Sequence, residues 1–343
     1  MRACVAHGAG DLRVDDLPDP HIPEDEIAVR VVYGGICGSD LHYAQHGANG
    51  RYALREPLVL GHEIVGLVDW VGPAAEGDHR VGEPVAVHPA RPAPPAGTTV
   101  STGLNVLAGG TYLGSASTDP HTQGGFAERV AVRPEQIRRL PAGLPLRRAA
   151  LAEPLAIALH GIARAGRTIR GARVLVSGSG PIGCLTVAAL AARGASQIIA
   201  TDLHEFPLRT ARRAGATETV RMGVDEGPEP DSFDVVIESA GAVGSLNTAL
   251  RAVRTGGTVV QLGILPNGPL GVELAPLITK EVSYRGSQRF DVELDEAVRL
   301  LHATPALDAV VSHVYPLEKA GDAFAQAADP TKSSKVLLRI APP

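Results

Sequence analysis

The chain has 343 residues, 44% of them hydrophobic and 20% charged, which is enough apolar mass for a large core and a length that suggests two domains rather than one. A formal charge of −5 leaves no basic footprint for nucleic acid, and uncharged stretches such as Val174 to Ala192 are broken by Gly, Pro and Ser before they reach the ~18 apolar residues of a membrane span. The opening "MRACVAHGAG" has no signal-like hydrophobic segment, and three cysteines, Cys4, Cys37 and Cys184, make too sparse a set for a disulfide framework, so a cytoplasmic protein is expected.

Up to about residue 150, short runs such as "EIAVRVVYGG" and "EPVAVHP" alternate with Gly/Pro turns, which predicts a mainly antiparallel β domain. Two segments in it carry chemistry. "GGICGSDLHY" holds Cys37, Ser39, Asp40, His42 and Tyr43, and "LVLGHEIVG" holds His62 and Glu63. Between Arg91 and Ser115 lies "RPAPPAGTTVSTGLNVLAGGTYLGS", uncharged after its first residue. Loops beyond about 12–15 residues are uncommon in compact domains and usually mark function or mobility. "ALAEPLAIALHG" then adds Glu153. A thiolate, an imidazole and a carboxylate make a three-ligand set for a catalytic Zn²⁺ with one position open, and one Cys⁻ with one Glu⁻ would cancel the ion's charge. Singly, each has an ordinary explanation: a small buried Cys, a core His, a Glu that starts a turn.

From Arg173 the pattern becomes strand, glycine loop, helix, strand. "ARVLVSG" reads as a buried parallel strand, "PIGCLTVAALAARGA" as a helix closed by Gly194, and "QIIATD" as a second strand. "FDVVIESAG", "GTVVQLGI" and "EVSYRGS" continue the series, with helical runs "LRTARRAGA" and "GSLNTALRAV" between, which is the sequence form of a doubly wound α/β sheet. An amphipathic helix at "VELDEAVRLLH" and a terminal strand "KVLLRI", able to return to the first domain, close the chain.

"GSGPIG" fits G-x-G-x-x-G between a strand and a helix. Gly178 permits the tight turn, Gly180 lets the backbone approach a pyrophosphate, and Gly183 lets helix and strand pack closely. Asp202 ends the second strand, where a carboxylate would accept hydrogen bonds from the adenosine ribose and repel a 2′-phosphate, so NAD is expected over NADP. Its alternative role is to cap the following helix. Pro181 and Ile182 in the loop, with Ala240, Leu262 and Gly263 at the ends of later strands, complete the expected cofactor set.

"GGICGSDLHY", "GHEIVG", "LAEPLA", "GSGPIG" and "GSQRF", in this order, resemble the medium-chain zinc-dependent alcohol dehydrogenases, in particular their sorbitol and L-idonate 5-dehydrogenase branch, nearly end to end. The resemblance implies a GroES-like catalytic domain from residues 1–150 and 287–343, a Rossmann NAD-binding domain from 151–286, and a site in the cleft between them. It implies that Cys37 and His62 bind zinc, with Glu63 or Glu153 as the third ligand. Ser39 and His42 would pass the substrate proton to solvent, Asp40 would orient a liganding histidine, and Tyr43, Arg289 and Phe290 would meet the substrate. For Ser39 the alternative is to cap a helix starting at "DLHY"; for Arg289, to pair with Asp291 or Glu293; for Tyr43, to lie in the core.

In this family a lobe carries a structural zinc on cysteines spaced C-x-x-C-x-x-C-x7-C, and here those places are Ala93, Ala96, Thr99 and Leu107. Alanine and leucine offer no donor atom, so one catalytic zinc and no structural zinc is expected. The expected reaction is hydride transfer from a secondary hydroxyl of a polyol or aldonate to NAD in a homo-oligomer, a dimer or tetramer. A cyclitol or amino-sugar dehydrogenase is the nearest alternative. A zinc-free reductase of the quinone or enoyl type, or a non-catalytic family member, is disfavoured because the catalytic donors all remain.

Overall fold

The computed structural model describes residues 1–93, 103–106 and 109–342. Its β-rich part is organised around β1 (Ile27–Gly35), a run of β-branched residues buried along almost its whole length. The chain turns at Cys37 into helix α1 (Gly38–His46), returns as β2 (Glu63–Val71), and adds β3 (Pro84–Val87), β4 (Arg129–Val132) and β5 (Ile137–Arg139). β2 pairs antiparallel with β1, bringing Glu63 opposite Gly35, and β4 pairs with the start of β1.

A helix not expected from the sequence, α2 (Ala152–Arg164), leads into the α/β part. Its Pro154 sits in the first turn, where the missing N–H has no intrahelical partner to lose. β6 (Arg173–Ser177) then feeds α3 (Pro181–Ala192), followed by β7 (Gln197–Asp202), β8 (Glu218–Arg221), β9 (Phe233–Glu238), β10 (Val253–Gln261) and β11 (Ser283–Gly286). All six strands are parallel, in the order β8-β7-β6-β9-β10-β11, so the direction of winding reverses between β6 and β9. Ligands of such sheets bind at the carboxyl ends of the strands at that point.

Helix α4 (Leu294–Ala303) packs on α2, and the chain then crosses back as β12 (Val311–Pro316) and β13 (Lys335–Arg339). β13 pairs antiparallel with β1, Leu337 opposite Gly35, as the terminal "KVLLRI" led us to expect. The resulting sheet runs β5-β3-β2-β1-β13-β12 with β4 also on β1. One hydrophobic core lies under this sheet, and a second joins α2, α3 and α4 to β6. Of the four lobe positions, Ala96, Thr99 and Leu107 lie outside the described residues. No helix among the described residues is long and apolar enough to cross a membrane.

Candidate active site

The turn after β1 and the start of β2 place Cys37, His62 and Glu63 with their donor atoms within 4.8 Å of one another. Asp40 builds this turn. Its Oδ2 accepts the Cys37 N–H at 2.9 Å and its Oδ1 accepts the Gly61 N–H at 3.1 Å, so one buried carboxylate ties both ligand-bearing segments together. His62 Nδ1 stands 3.8 Å from Asp40, beyond hydrogen-bond reach, so Asp40 acts through the backbone and through its charge rather than by orienting the ring directly. Cys37 is the N-cap residue of α1 and Ser39 falls inside the first turn, so the capping role considered for Ser39 is not the one built.

Glu63 needs room, and Gly35 supplies it: a Cβ there would lie 2.1 Å from Glu63 Oε2. Across β1 stands Lys335, whose Nζ donates to both Glu63 oxygens at 2.6 and 2.7 Å and to the Ile36 carbonyl at 3.0 Å. Burial holds the Glu63 carboxyl above the usual carboxylate range although Lys335 pulls the other way. Glu153, in the first turn of α2, accepts the Tyr112 O–H at 2.6 Å on Oε1, while its buried Oε2 has no hydrogen-bond partner. Tyr112 is buried, and that burial, reinforced by Glu153, pushes its phenol well above the usual range, so it remains a donor.

The charges close on this arrangement. Lys335 offsets Glu63, which leaves the Cys37 sulfur and the Glu153 carboxyl as the acidic groups free to face a divalent cation. Burial alone would push the His62 imidazole down, yet Asp40, Cys37 and Glu153 hold it up at about 10. The pocket's field therefore favours a positive charge where a metal would sit. The thiol–imidazole–carboxylate donor set and the orphaned Glu153 oxygen both fit zinc with an open position.

Arg289 lies over the Tyr112 ring, 3.9 Å from its centroid, and Glu293 is engaged by His160 rather than by Arg289. Two residues expected to meet the substrate are packed away from solvent. Tyr43 is buried in the core under the β-rich sheet, where its hydroxyl accepts the Ala116 N–H at 3.1 Å. Phe290 is 2% exposed and packs on His88, with ring centroids 4.6 Å apart. Both are large aromatics whose burial removes more apolar area from water than a polar substrate could return.

At the carboxyl end of β6, Gly178 has φ +95°, and a Cβ at Gly183 would lie 1.9 Å from Gly178 O, so both positions require glycine. Gly180 faces open space, as a position approached by a pyrophosphate should, and α3 begins immediately after it with Pro181 and Ile182. Asp202 accepts the Ser179 N–H at 3.0 Å and the His204 N–H at 2.9 Å. It braces the glycine loop, and the next helix starts from His204 instead, so the capping alternative fails. Ala240, Leu262 and Gly263 converge on Glu238 at the end of β9, their backbone N–H groups all donating to its carbonyl or carboxylate. Beside Asp202, Arg221 on β8 donates through Nε to the Leu203 carbonyl. It is a cation in register with Asp202 that the sequence pattern did not place there.

A GroES-like β domain, a parallel nucleotide-binding sheet and a cluster of half-buried Cys37 with buried His62 and Glu63 define a zinc-binding dehydrogenase. Residues 23–142 match the alcohol dehydrogenase GroES-like domain and residues 181–303 the zinc-binding dehydrogenase domain. The chain is 35% identical over 320 residues to the L-idonate 5-dehydrogenase (NAD(P)(+)) of Escherichia coli K12, covering 90% of each chain. It is 32% identical over 351 residues to the sorbitol dehydrogenase of Gallus gallus, covering 99% of this chain and 96% of that one. The crystal structure of Escherichia coli L-idonate 5-dehydrogenase superposes with a TM-score of 0.92 at 33% identity, covering 99% and 98% of the two chains. The chain belongs to the zinc-dependent medium-chain alcohol dehydrogenase family and is an oxidoreductase related to the L-idonate and sorbitol enzymes.

Proposed function

We propose that this enzyme oxidises a secondary hydroxyl of a polyol or aldonate with NAD, using zinc held by Cys37, His62 and a carboxylate of Glu63 or Glu153. The carrying observation is the Cys37–His62–Glu63 cluster, its histidine and glutamate buried, beside the unpartnered Glu153 oxygen, with Arg289 stacked on the tyrosine that Glu153 holds. Zinc bound there would acidify a substrate hydroxyl and NAD would accept hydride from its carbon. The chain supplies the rest. Ser39, half-buried in the first turn of α1, receives the hydroxyl proton, and the exposed His42, three residues further on the same helix face, releases it to solvent. Arg289 presents a planar fork of donors suited to paired hydroxyls or a carboxylate. We read the protein as a cytoplasmic homo-oligomer, its catalytic domain formed by residues 1–150 with 287–343 around a cofactor domain of 151–286; α4 lies at the junction, against α2.

Arg289→Lys keeps the charge but loses the fork. Losing such charge-assisted bonds costs roughly 1.5–3 kcal/mol, so kcat/KM on the polyol or aldonate is expected to fall about ten- to hundredfold. Rates on a small secondary alcohol should hold steady, and equal losses on both substrates would remove the support for a sugar-type substrate. For the cofactor, Gly178, Gly180, Pro181, Ile182 and Gly183 would cradle the pyrophosphate, Asp202 would meet the ribose, and Ala240, Leu262 and Gly263 would border the nicotinamide half. The wild type should then prefer NAD, and Asp202→Ala should narrow the ratio of NAD to NADP efficiency. A wild type that uses NADP as well as NAD would refute the role given to Asp202.

A further inference from the structure

Arg289 sits on the connection of residues 287–293 between β11 and α4 with φ +51°, a left-handed conformation that a residue with a Cβ adopts only where its surroundings enforce it. The enforcing contacts come from helix α2 and from the long loop. His160 Nδ1 lies 2.8 Å from Glu293 Oε1, and Glu293 Oε2 accepts the Asp291 N–H at 2.8 Å. Asn105 Nδ2 donates to the Gln288 carbonyl at 2.6 Å and lies 3.3 Å from His160 Nε2. These partners fix the chemistry of the relay. A carbonyl only accepts, so the Asn105 nitrogen must face Gln288 O; its second hydrogen then points to His160 Nε2 as an acceptor, which leaves the histidine proton on Nδ1 for Glu293. Burial would raise the Glu293 carboxyl, but His160 and the Asp291 N–H hold it below the usual range, so it remains an anion in this bond.

The turn is thus gripped on both sides of Arg289, at Gln288 and at Asp291. His160 is on the same helix as Glu153, seven residues and two turns along, which places both on one face about 10 Å apart. One end of α2 holds Tyr112 through Glu153 and the other holds the turn carrying Arg289, whose guanidinium closes the ring on Tyr112. We propose that His160 and Glu293, bonded to each other, with Asn105 linking His160 to the Gln288 carbonyl, are positioning residues that fix Arg289 for recognition of a multiply hydroxylated substrate. This rests on Arg289 facing the substrate, as proposed above.

The test uses the zinc-loaded enzyme with NAD, sorbitol or L-idonate as probe, and a small secondary alcohol as control. His160→Ala and Glu293→Ala should each raise KM for the probe about tenfold, or ~1.4 kcal/mol, with kcat within about twofold, the split expected when ground-state binding is lost. Zinc content and oxidation of the small alcohol should stay unchanged. His160→Asn, whose amide can still donate to Glu293, should keep most of the wild-type KM, which guards against a trivial loss of folding. Placed in an Arg289→Ala background, His160→Ala should add no further loss, because both act through one guanidinium. If Arg289→Ala impairs the probe while His160→Ala and Glu293→Ala do not, the positioning role is wrong and the reading of Arg289 stands. If Arg289→Ala leaves the probe unaffected, both fall. Equal losses on the small alcohol would show that His160 only supports the fold.

Discussion

Replacing Cys37 with alanine is expected to remove tightly bound zinc and to lower kcat/KM by roughly three orders of magnitude or more, since a Lewis acid contributes several kcal/mol of transition-state stabilisation and each 1.36 kcal/mol is tenfold. The fold should survive. Cys37 lies at the mouth of α1, and the bonds that build its turn run from Asp40 to the backbone of Cys37 and Gly61, which alanine keeps. The six-stranded sheet shares none of these bonds, so NAD should still bind. Metal analysis alongside NAD titration checks the pair of outcomes; a Cys37→Ala enzyme that retains zinc and full activity would show that the thiol is only packed.

The second large effect is expected at Lys335. Breaking a buried ion pair from one side leaves an uncompensated charge and costs about 3–5 kcal/mol, so Lys335→Met should lower the unfolding free energy of the metal-free protein by about that amount. The Lys335–Glu63 pair meets the condition for such a cost: both side chains are at most 3% exposed and the contact is two-pronged. Glu63→Gln combined with Lys335→Met should recover much of the loss, because no lone charge then remains. Zinc gives the complementary readout. Lys335→Met frees both Glu63 oxygens, so if Glu63 is the third ligand the variant should bind zinc at least as tightly as wild type. If Glu153 is the ligand, Glu153→Gln should weaken zinc far more than Glu63→Gln. A Lys335→Met protein as stable as wild type would mean that Glu63 takes up a proton once the lysine is gone, so that no lone charge remains to destabilise the fold.

What the sequence revealed is what is local in it. Cys37, Ser39, Asp40 and His42 lie on one turn and His62 and Glu63 are adjacent, so their chemistry could be read as a group. The glycine loop was equally plain, because the strand before it and the helix after it are continuous in the chain. Lys335 escaped notice because it reaches Glu63 only through sheet register, with β2 and β13 flanking Gly35 on opposite sides, 272 residues apart in sequence. Tyr112 and Asn105 were hidden in the long uncharged loop. Its described part answers why such a loop is kept, since it delivers a phenol to Glu153 and an amide to His160 and Gln288. Only helix α2, which the sequence pattern does not announce, aligns His160 with Glu153. Tyr43 and Phe290 show the reverse: both lie beside a recognisable motif, yet their large rings are buried.

The most direct test of zinc-dependent polyol oxidation is the rate of NADH formation from L-idonate and sorbitol before chelation, after it, and after zinc is restored. The rate should vanish with the metal and return on addition of about one zinc per chain, the number that a single donor set can hold. Undiminished activity in the metal-free protein, or no NAD reduction by either substrate at full zinc occupancy, would contradict the account.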